Sequence, residues 1–151
     1  MTTEPTAPPE VTPPSAGLWR YGLGATAVAA IVNLVIHTVV KATGVSFVVA
    51  FSAGDKTMHI TAAHVAALTV VPLLIATALA AVASRRSMAT LRAVQIVAGV
   101  VAVVSLVGPL SLTAELGAKV ALASMHVVAG AAFVLAVERA RRPHPDNTHR
   151  S

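Results

Sequence analysis

Cysteine is absent from the chain, so disulfides, thiolate metal sites, iron–sulfur clusters and thiol nucleophiles are all excluded. Charge is scarce as well. Asp, Glu, Lys and Arg make up 11% of the 151 residues, against ~25% in ordinary soluble domains, while hydrophobic residues reach 56%. A single water-soluble domain of this length needs more polar surface than that, and lipid is the simpler solvent. Aromatics are few: Trp19, Tyr21 and three Phe. The formal charge of +5 sits in short clusters at the ends of apolar runs, with no basic face carrying interleaved stacking residues. Nucleic-acid binding is excluded on that ground, and an orientation bias in a membrane explains the charge.

Four uncharged runs are present: Tyr21 to Val40, Ile60 to Ser84, Ala93 to Ala114 and Val120 to Val137, with 20, 25, 22 and 18 residues. A helix needs ~20 residues to cross a ~30 Å hydrocarbon core, and each run meets that. Spanning strands would be ~10 residues long and alternating, which these Ala/Val/Leu runs are not. The fold class expected is all-α: a four-transmembrane-helix up-down bundle. Arg20, Arg85, Arg86, Arg92, Arg139, Arg141, Arg142 and Arg150 fall on one side of it, and only Lys41, Lys56 and Lys119 on the other. That eight-to-three split puts both termini in the cytoplasm of a multi-pass plasma-membrane protein. Trp19 and Tyr21 then mark the inner interface.

Residues 1–17 hold five prolines and read as a disordered cytoplasmic tail; residues 141–151 read as a basic cytoplasmic tail; residues 18–140 form the membrane domain. Span 1 lacks the basic start of a signal peptide and has too long an apolar run, so it is taken as uncleaved. Small residues recur four apart, as at Ala25 and Ala29, Ala76 and Ala80, and Ala98 and Ala102, which lets helices approach closely. Pro72 and Pro109 are expected to bend spans 2 and 3. In the first outer loop Val45, Phe47, Val49 and Phe51 alternate with their neighbours before Ser52-Ala53-Gly54-Asp55. This stretch is either a short β-hairpin over the bundle mouth or an interfacial segment without fixed structure.

The polar residues within the spans can be placed by depth. At ~1.5 Å per residue, Asn33 lies ~12 Å and His37 ~6 Å below the outer end of span 1, and Ser105 and His126 each lie ~10 Å below theirs. Asn33 and His37, four apart, share a helix face. Polar groups at such depth are costly against lipid, so Asn33, His37, Ser105 and His126 are expected to face inward as one cluster. Three uses are open to it: hydrogen bonds joining the helices, a site for a ligand or for protons, or metal or haem binding through His37, His64 and His126. No HxxxH or HExxH spacing supports the last, and Asp55 and Glu115, the acids near the outer face, lie in loops, which leaves no Ser–His–Asp arrangement.

Asn33, the run Gly44-Val45-Ser46-Phe47, Ser105 with Gly108-Pro109-Leu110, and Met125-His126 together resemble a family of small four-helix integral membrane proteins, mostly actinobacterial, catalogued as a domain of unknown function. The resemblance covers Leu18 to Val137 and singles out Asn33, Ser105 and His126. It implies no activity and no cofactor. Two classes of function follow. One is a non-enzymatic membrane component, either a structural or accessory subunit or a binding module, with the lipid bilayer as its surroundings and a second copy or another membrane protein as partner. The other is a haem- or metal-binding redox protein, or a small transport protein, using the outer histidines. The first is preferred.

Overall fold

In a computed structural model, which describes residues 14–52 and 54–142, the chain forms four helices long and apolar enough to cross a membrane, plus a small antiparallel sheet. They are α1 (Pro14–Ala42), α2 (Ala62–Ser84), α3 (Met88–Val104) continued by the short α4 (Val107–Ser111), and α5 (Leu116–Arg141). Between α1 and α2 lie β1 (Val48–Val49) and β2 (Met58–His59). α1 and α5 overrun their uncharged runs at both ends and α3 begins ahead of its own, whereas α2 lies within its run. Charged residues such as Lys41, Lys119 and Arg139 lie inside helical turns, because a charge ends the hydrocarbon-compatible stretch without ending the helix. Pro14 opens α1 at a position where a missing N–H costs nothing. The tail expected over residues 1–17 is therefore helical from Pro14, and its remainder lies outside the described residues, as does the C-terminal tail beyond Arg142.

Two helix starts are capped by side chains. Thr61 caps α2: its Oγ1 accepts from the His64 N–H, and His64 Nδ1 accepts in turn from the Thr61 N–H, a reciprocal box with histidine in the usual Glu position. Ser87 caps α3 by accepting from the Thr90 N–H at 3.0 Å. The two prolines act differently. α2 runs unbroken through Pro72. The third span is interrupted at Ser105–Leu106, four residues before Pro109, where the proline ring crowds the Ser105 carbonyl and supplies no N–H to it.

α1 packs against α2 and α5, and α3 packs against the same two from the opposite side, so α1 and α3 lie across the bundle from each other. At the end where the termini emerge, Leu18, Ala29, Leu73, Ala80, Leu91, Phe133 and Val137 form one apolar cluster. At the other end, Phe47, Val49, Ile60, Val65, Ala118, Ala121 and Met125 form a second. The hairpin closes over this second cluster. Val48 pairs with His59 and Val49 with Met58, and Gly54 turns the chain with φ +94°, a conformation that L side chains seldom take. An isolated bridge joins Ala50 to Thr113, with N–H to carbonyl distances of 3.0 and 2.9 Å in the two directions, and fastens the hairpin to the loop before α5. Of the two readings of the first loop, the ordered hairpin is the one observed.

Candidate functional site

The two apolar clusters meet on α1 at Asn33, which is 1% exposed. Its Nδ2 donates to Thr69 Oγ1 on α2 at 2.9 Å and to the Met125 carbonyl on α5 at 3.3 Å. One amide group thus ties three helices together. A carbonyl can only accept, so the group facing Met125 is the NH2, and this fixes the orientation of the amide. Its Oδ1 is then buried with no hydrogen-bond partner. Buried acceptors without partners are uncommon, and each calls for an explanation.

One turn further along α1, His37 is also buried, at 3% exposure. Its Nε2 lies 3.2 Å from the Ile60 carbonyl, so in the neutral ring Nε2 carries the proton and donates it. The ring also packs against Phe47, with centroids 4.6 Å apart and planes tilted by 43°. Histidine and phenylalanine together hold both strands of the hairpin: Phe47 leads into β1, Ile60 follows β2, and the Ile60 N–H donates to the Phe47 carbonyl at 2.9 Å. Glu115, just before α5, fixes the other side by accepting from the Ser46 N–H at 2.8 Å. The run Gly44-Val45-Ser46-Phe47 therefore serves the cap. Gly44 turns the chain with φ +91°, Val45 presses on Gly117, Ser46 meets Glu115, and Phe47 fills the core above His37.

Ser105 and His126 do not join Asn33 by hydrogen bonds, and His126, expected to face inward, is exposed on α5. Ser105 Oγ donates to the Ala102 carbonyl of its own helix, and His126 Nδ1 donates to the Leu122 carbonyl of its own, both at 2.8 Å. The single hydrogen-bonded cluster expected from depth is thus replaced by an α1–α2–α5 junction at Asn33, with Thr69 and the Met125 carbonyl as its members. Ser105 sits at the end of α3, across the bundle from α1, and cannot reach it. The three candidate metal ligands are likewise apart in role: His37 binds the Ile60 carbonyl, His64 caps α2, and His126 binds the Leu122 carbonyl. Among the described residues no three His, Asp or Glu side chains are grouped to hold a metal ion.

What does bring the expected residues together is space. A small cavity of about 70 Å³ is bordered by Asn33, Thr69, Met125 and His126. A larger one of about 790 Å³ lies between α2, α3 and α5, with Ser105 and His126 in its wall. Leu68, Thr69, His126 and Ala129 border both, so the two adjoin.

Sequence reasoning missed Thr69, and with it the second half of the Asn33 junction. The signal was present: Thr69 and Thr77 are eight residues apart on span 2, which sets them on one face, and both are buried. It also missed a polar knot at the opposite end. Gln95 on α3 donates to the Val134 carbonyl at 3.3 Å and accepts from Arg141 at 2.7 Å, while Glu138 lies 3.5 Å from Arg141 and 3.6 Å from Arg142. Gln95 is the one amide side chain in the third uncharged run, which was the available clue.

A model of a family of unknown function matches residues 13–143, most of the chain and all of the region bearing the Asn33, Ser105 and His126 motifs. No curated protein and no solved structure matches the chain.

Proposed function

The chain belongs to DUF6069, a family of unknown function, and from that premise we propose that it is a multi-pass component of the plasma membrane, with both termini cytoplasmic, that binds a partner or ligand without transforming it. The observation that carries this reading is the inversion of surface and interior. Ile31, Leu68, Ile75, Ile96, Val100 and Leu135 are each more than half exposed, around every long helix, while Asn33, Thr69 and His37 are buried between helices. Such continuous apolar surface is a liability in water and the natural exterior in lipid. In the most apolar stretch of the third span only 6% of residues are buried against the rest of the chain, so this helix, half-buried on the face toward α2 and α5, offers its remaining surface to lipid or to another protein.

The buried polar groups support binding rather than chemistry. Asn33 clamps helices and His37 holds the hairpin, so each has a structural task that fixes its position. The hairpin end carries Lys41, Lys56 and Lys119, and the opposite end carries the arginines, which supports the orientation given above.

Two measurements test the proposal. Alkaline phosphatase fused at Asp55 is expected to be active, and the same enzyme fused after Ser151 inactive; activity at the C-terminus overturns the orientation. Extraction from the native membrane directly into lipid nanodiscs, followed by mass spectrometry of proteins and lipids, is expected to show a companion molecule enriched over the bulk membrane. A bare chain surrounded by lipid of bulk composition overturns the binding role.

A further inference from the structure

Among the described residues, the end of the bundle from which the termini emerge holds seven arginines and one glutamate. Arg141 and Arg142 share that glutamate, Glu138. Arg85, Arg86 and Arg92 are exposed, and among the described residues none of the three is in an ion pair. They crowd the connection from α2 to α3, so three positive charges stand together at the level where lipid head groups meet water. An excess of arginine on one side orients a membrane protein however it is spread over that side. Its concentration at this one turn is a separate fact, and the groove beside the turn gives it a use.

The space of about 790 Å³ between α2, α3 and α5 begins at this turn, and no charged residue lines it. Its wall on α2 includes Pro72 and Leu79, seven residues apart, and Arg86 stands a further seven on. Helical bonding carries that face past the end of α2: the Arg85 N–H donates to the Val82 carbonyl at 3.2 Å and the Arg86 N–H to the Ala83 carbonyl at 3.0 Å. On α3 the wall starts at Thr90, two residues before Arg92, and ends at Ser105. Those fifteen residues rise ~22 Å at ~1.5 Å each, against ~15 Å for half of the ~30 Å hydrocarbon core. A cationic mouth at the membrane surface thus leads into an apolar slot deeper than one leaflet.

Mouth and slot together identify the occupant. A free phosphate or an acidic protein suits the arginines and leaves the slot bare. An uncharged lipid fills the slot and leaves the arginines without counter-charge. A zwitterionic head brings an ammonium group that three arginines repel. A phosphodiester with a net negative charge meets both demands, and the guanidinium fork matches its oxygens two at a time.

We propose that the α2–α3 turn and the groove behind it form one site for an anionic phospholipid of the adjoining leaflet. The head-group phosphate lies on Arg85, Arg86 and Arg92, and one acyl chain runs past Leu79, Val97 and Val101 toward Ser105. The inference rests on the reading of the chain as a membrane component that binds a ligand, and it names the class of that ligand. Each arginine beside a lipid surface contributes roughly five-fold to such binding.

The test uses the full chain in phosphatidylcholine nanodiscs with a trace of phosphatidylglycerol or phosphatidylcholine whose acyl chain bears a diazirine. Saturable cross-links from the phosphatidylglycerol probe are expected in peptides containing residues 72–79 and 94–101, with the phosphatidylcholine probe at least roughly tenfold weaker. Unlabelled phosphatidylglycerol should displace the probe. Inorganic phosphate at equal concentration, which has the charge without the tail, should not. Arg86→Gln should weaken capture roughly five-fold, and the triple change of Arg85, Arg86 and Arg92 to Gln should bring the two probes to near-equal labelling. Arg20→Gln on α1, across the bundle from α3, should leave capture unchanged. Ala98→Phe, which fills the groove and keeps the arginines, should abolish the saturable cross-links, with circular dichroism verifying the helix content of every variant. Equal labelling of the parent chain by the two probes overturns the proposal. So do equal losses from Arg20→Gln and Arg86→Gln, the result expected of diffuse attraction between a positive face and an anionic leaflet, and so does saturable capture that survives Ala98→Phe. Both faces of a nanodisc carry the same lipids, so none of these results depends on the orientation of the chain. Their failure, with a different companion molecule enriched on native extraction, refutes only this inference; a bare chain in that extraction refutes the reading beneath it.

Discussion

Replacing Asn33 by leucine tests the central junction, and its sign follows from the geometry. The substitution removes two donated hydrogen bonds, at 2.9 Å to Thr69 and 3.3 Å to Met125. Interhelical bonds of this kind average ~0.6 kcal/mol in a membrane interior, so their loss costs about 1 kcal/mol. Neither partner is stranded. The Met125 carbonyl lies within α5, where a backbone N–H one turn on can reach it, and the Thr69 hydroxyl can turn to a carbonyl of its own helix, as Thr26 does with Gly22 at 2.8 Å. The substitution also deletes Oδ1, whose burial without a partner costs about 1–3 kcal/mol. In protein stripped of copurifying lipid, Asn33→Leu should therefore leave stability unchanged or raise it by up to about 2 kcal/mol. Thr69→Val alone removes the acceptor and should cost about 1 kcal/mol. Made on top of Asn33→Leu, the same change should cost almost nothing, a coupling of about 0.5–1 kcal/mol. Asn33→Leu and Ser105→Ala, on opposite sides of the bundle, should simply add. Unfolding in dodecyl maltoside with a rising fraction of dodecyl sulfate, followed by far-ultraviolet circular dichroism, reads all of these. Additivity of Asn33 with Thr69, or a loss above about 3 kcal/mol for Asn33→Leu, would refute the geometry from which they are worked.

Other residues yield independent tests. Gly22 lies so close to Thr77 that a Cβ there would overlap its hydroxyl and methyl, so Gly22→Ala should destabilise the α1–α2 contact by about 1–3 kcal/mol. Thr77→Ala should restore most of that in the same unfolding assay, because it removes both obstructing atoms. Glu115→Ala deletes the acceptor of the Ser46 N–H, and hydrogen exchange at Ser46 should quicken roughly five-fold, the equivalent of ~1 kcal/mol, while Asn33 and Thr69 keep their protection. Pro109→Ala supplies an N–H for the Ser105 carbonyl and should join α3 to α4; slow exchange across residues 106–110 would report the join, and unchanged exchange there would show that the break has another cause.

The chain's four helices were legible in its sequence because the requirement is one-dimensional: ~20 apolar residues fill the hydrocarbon core whatever their neighbours do. The hairpin was half legible, since its alternation is also a property of the strand alone, whereas what fastens it, His37 to the Ile60 carbonyl and Glu115 to the Ser46 N–H, spans 23 and 69 residues of chain. Depth along each helix was legible for the same reason, and it placed Asn33, Ser105 and His126 at nearly one level. Direction around the helix was not. Each residue turns the side chain by about 100°, so which neighbour a polar group meets depends on which helices lie beside its own. Packing put α2 and α5 next to α1 and set α3 across from it. That choice gave Asn33 to Thr69 and the Met125 carbonyl, and left Ser105 and His126 to the one acceptor always within reach, a carbonyl of their own helix one turn back.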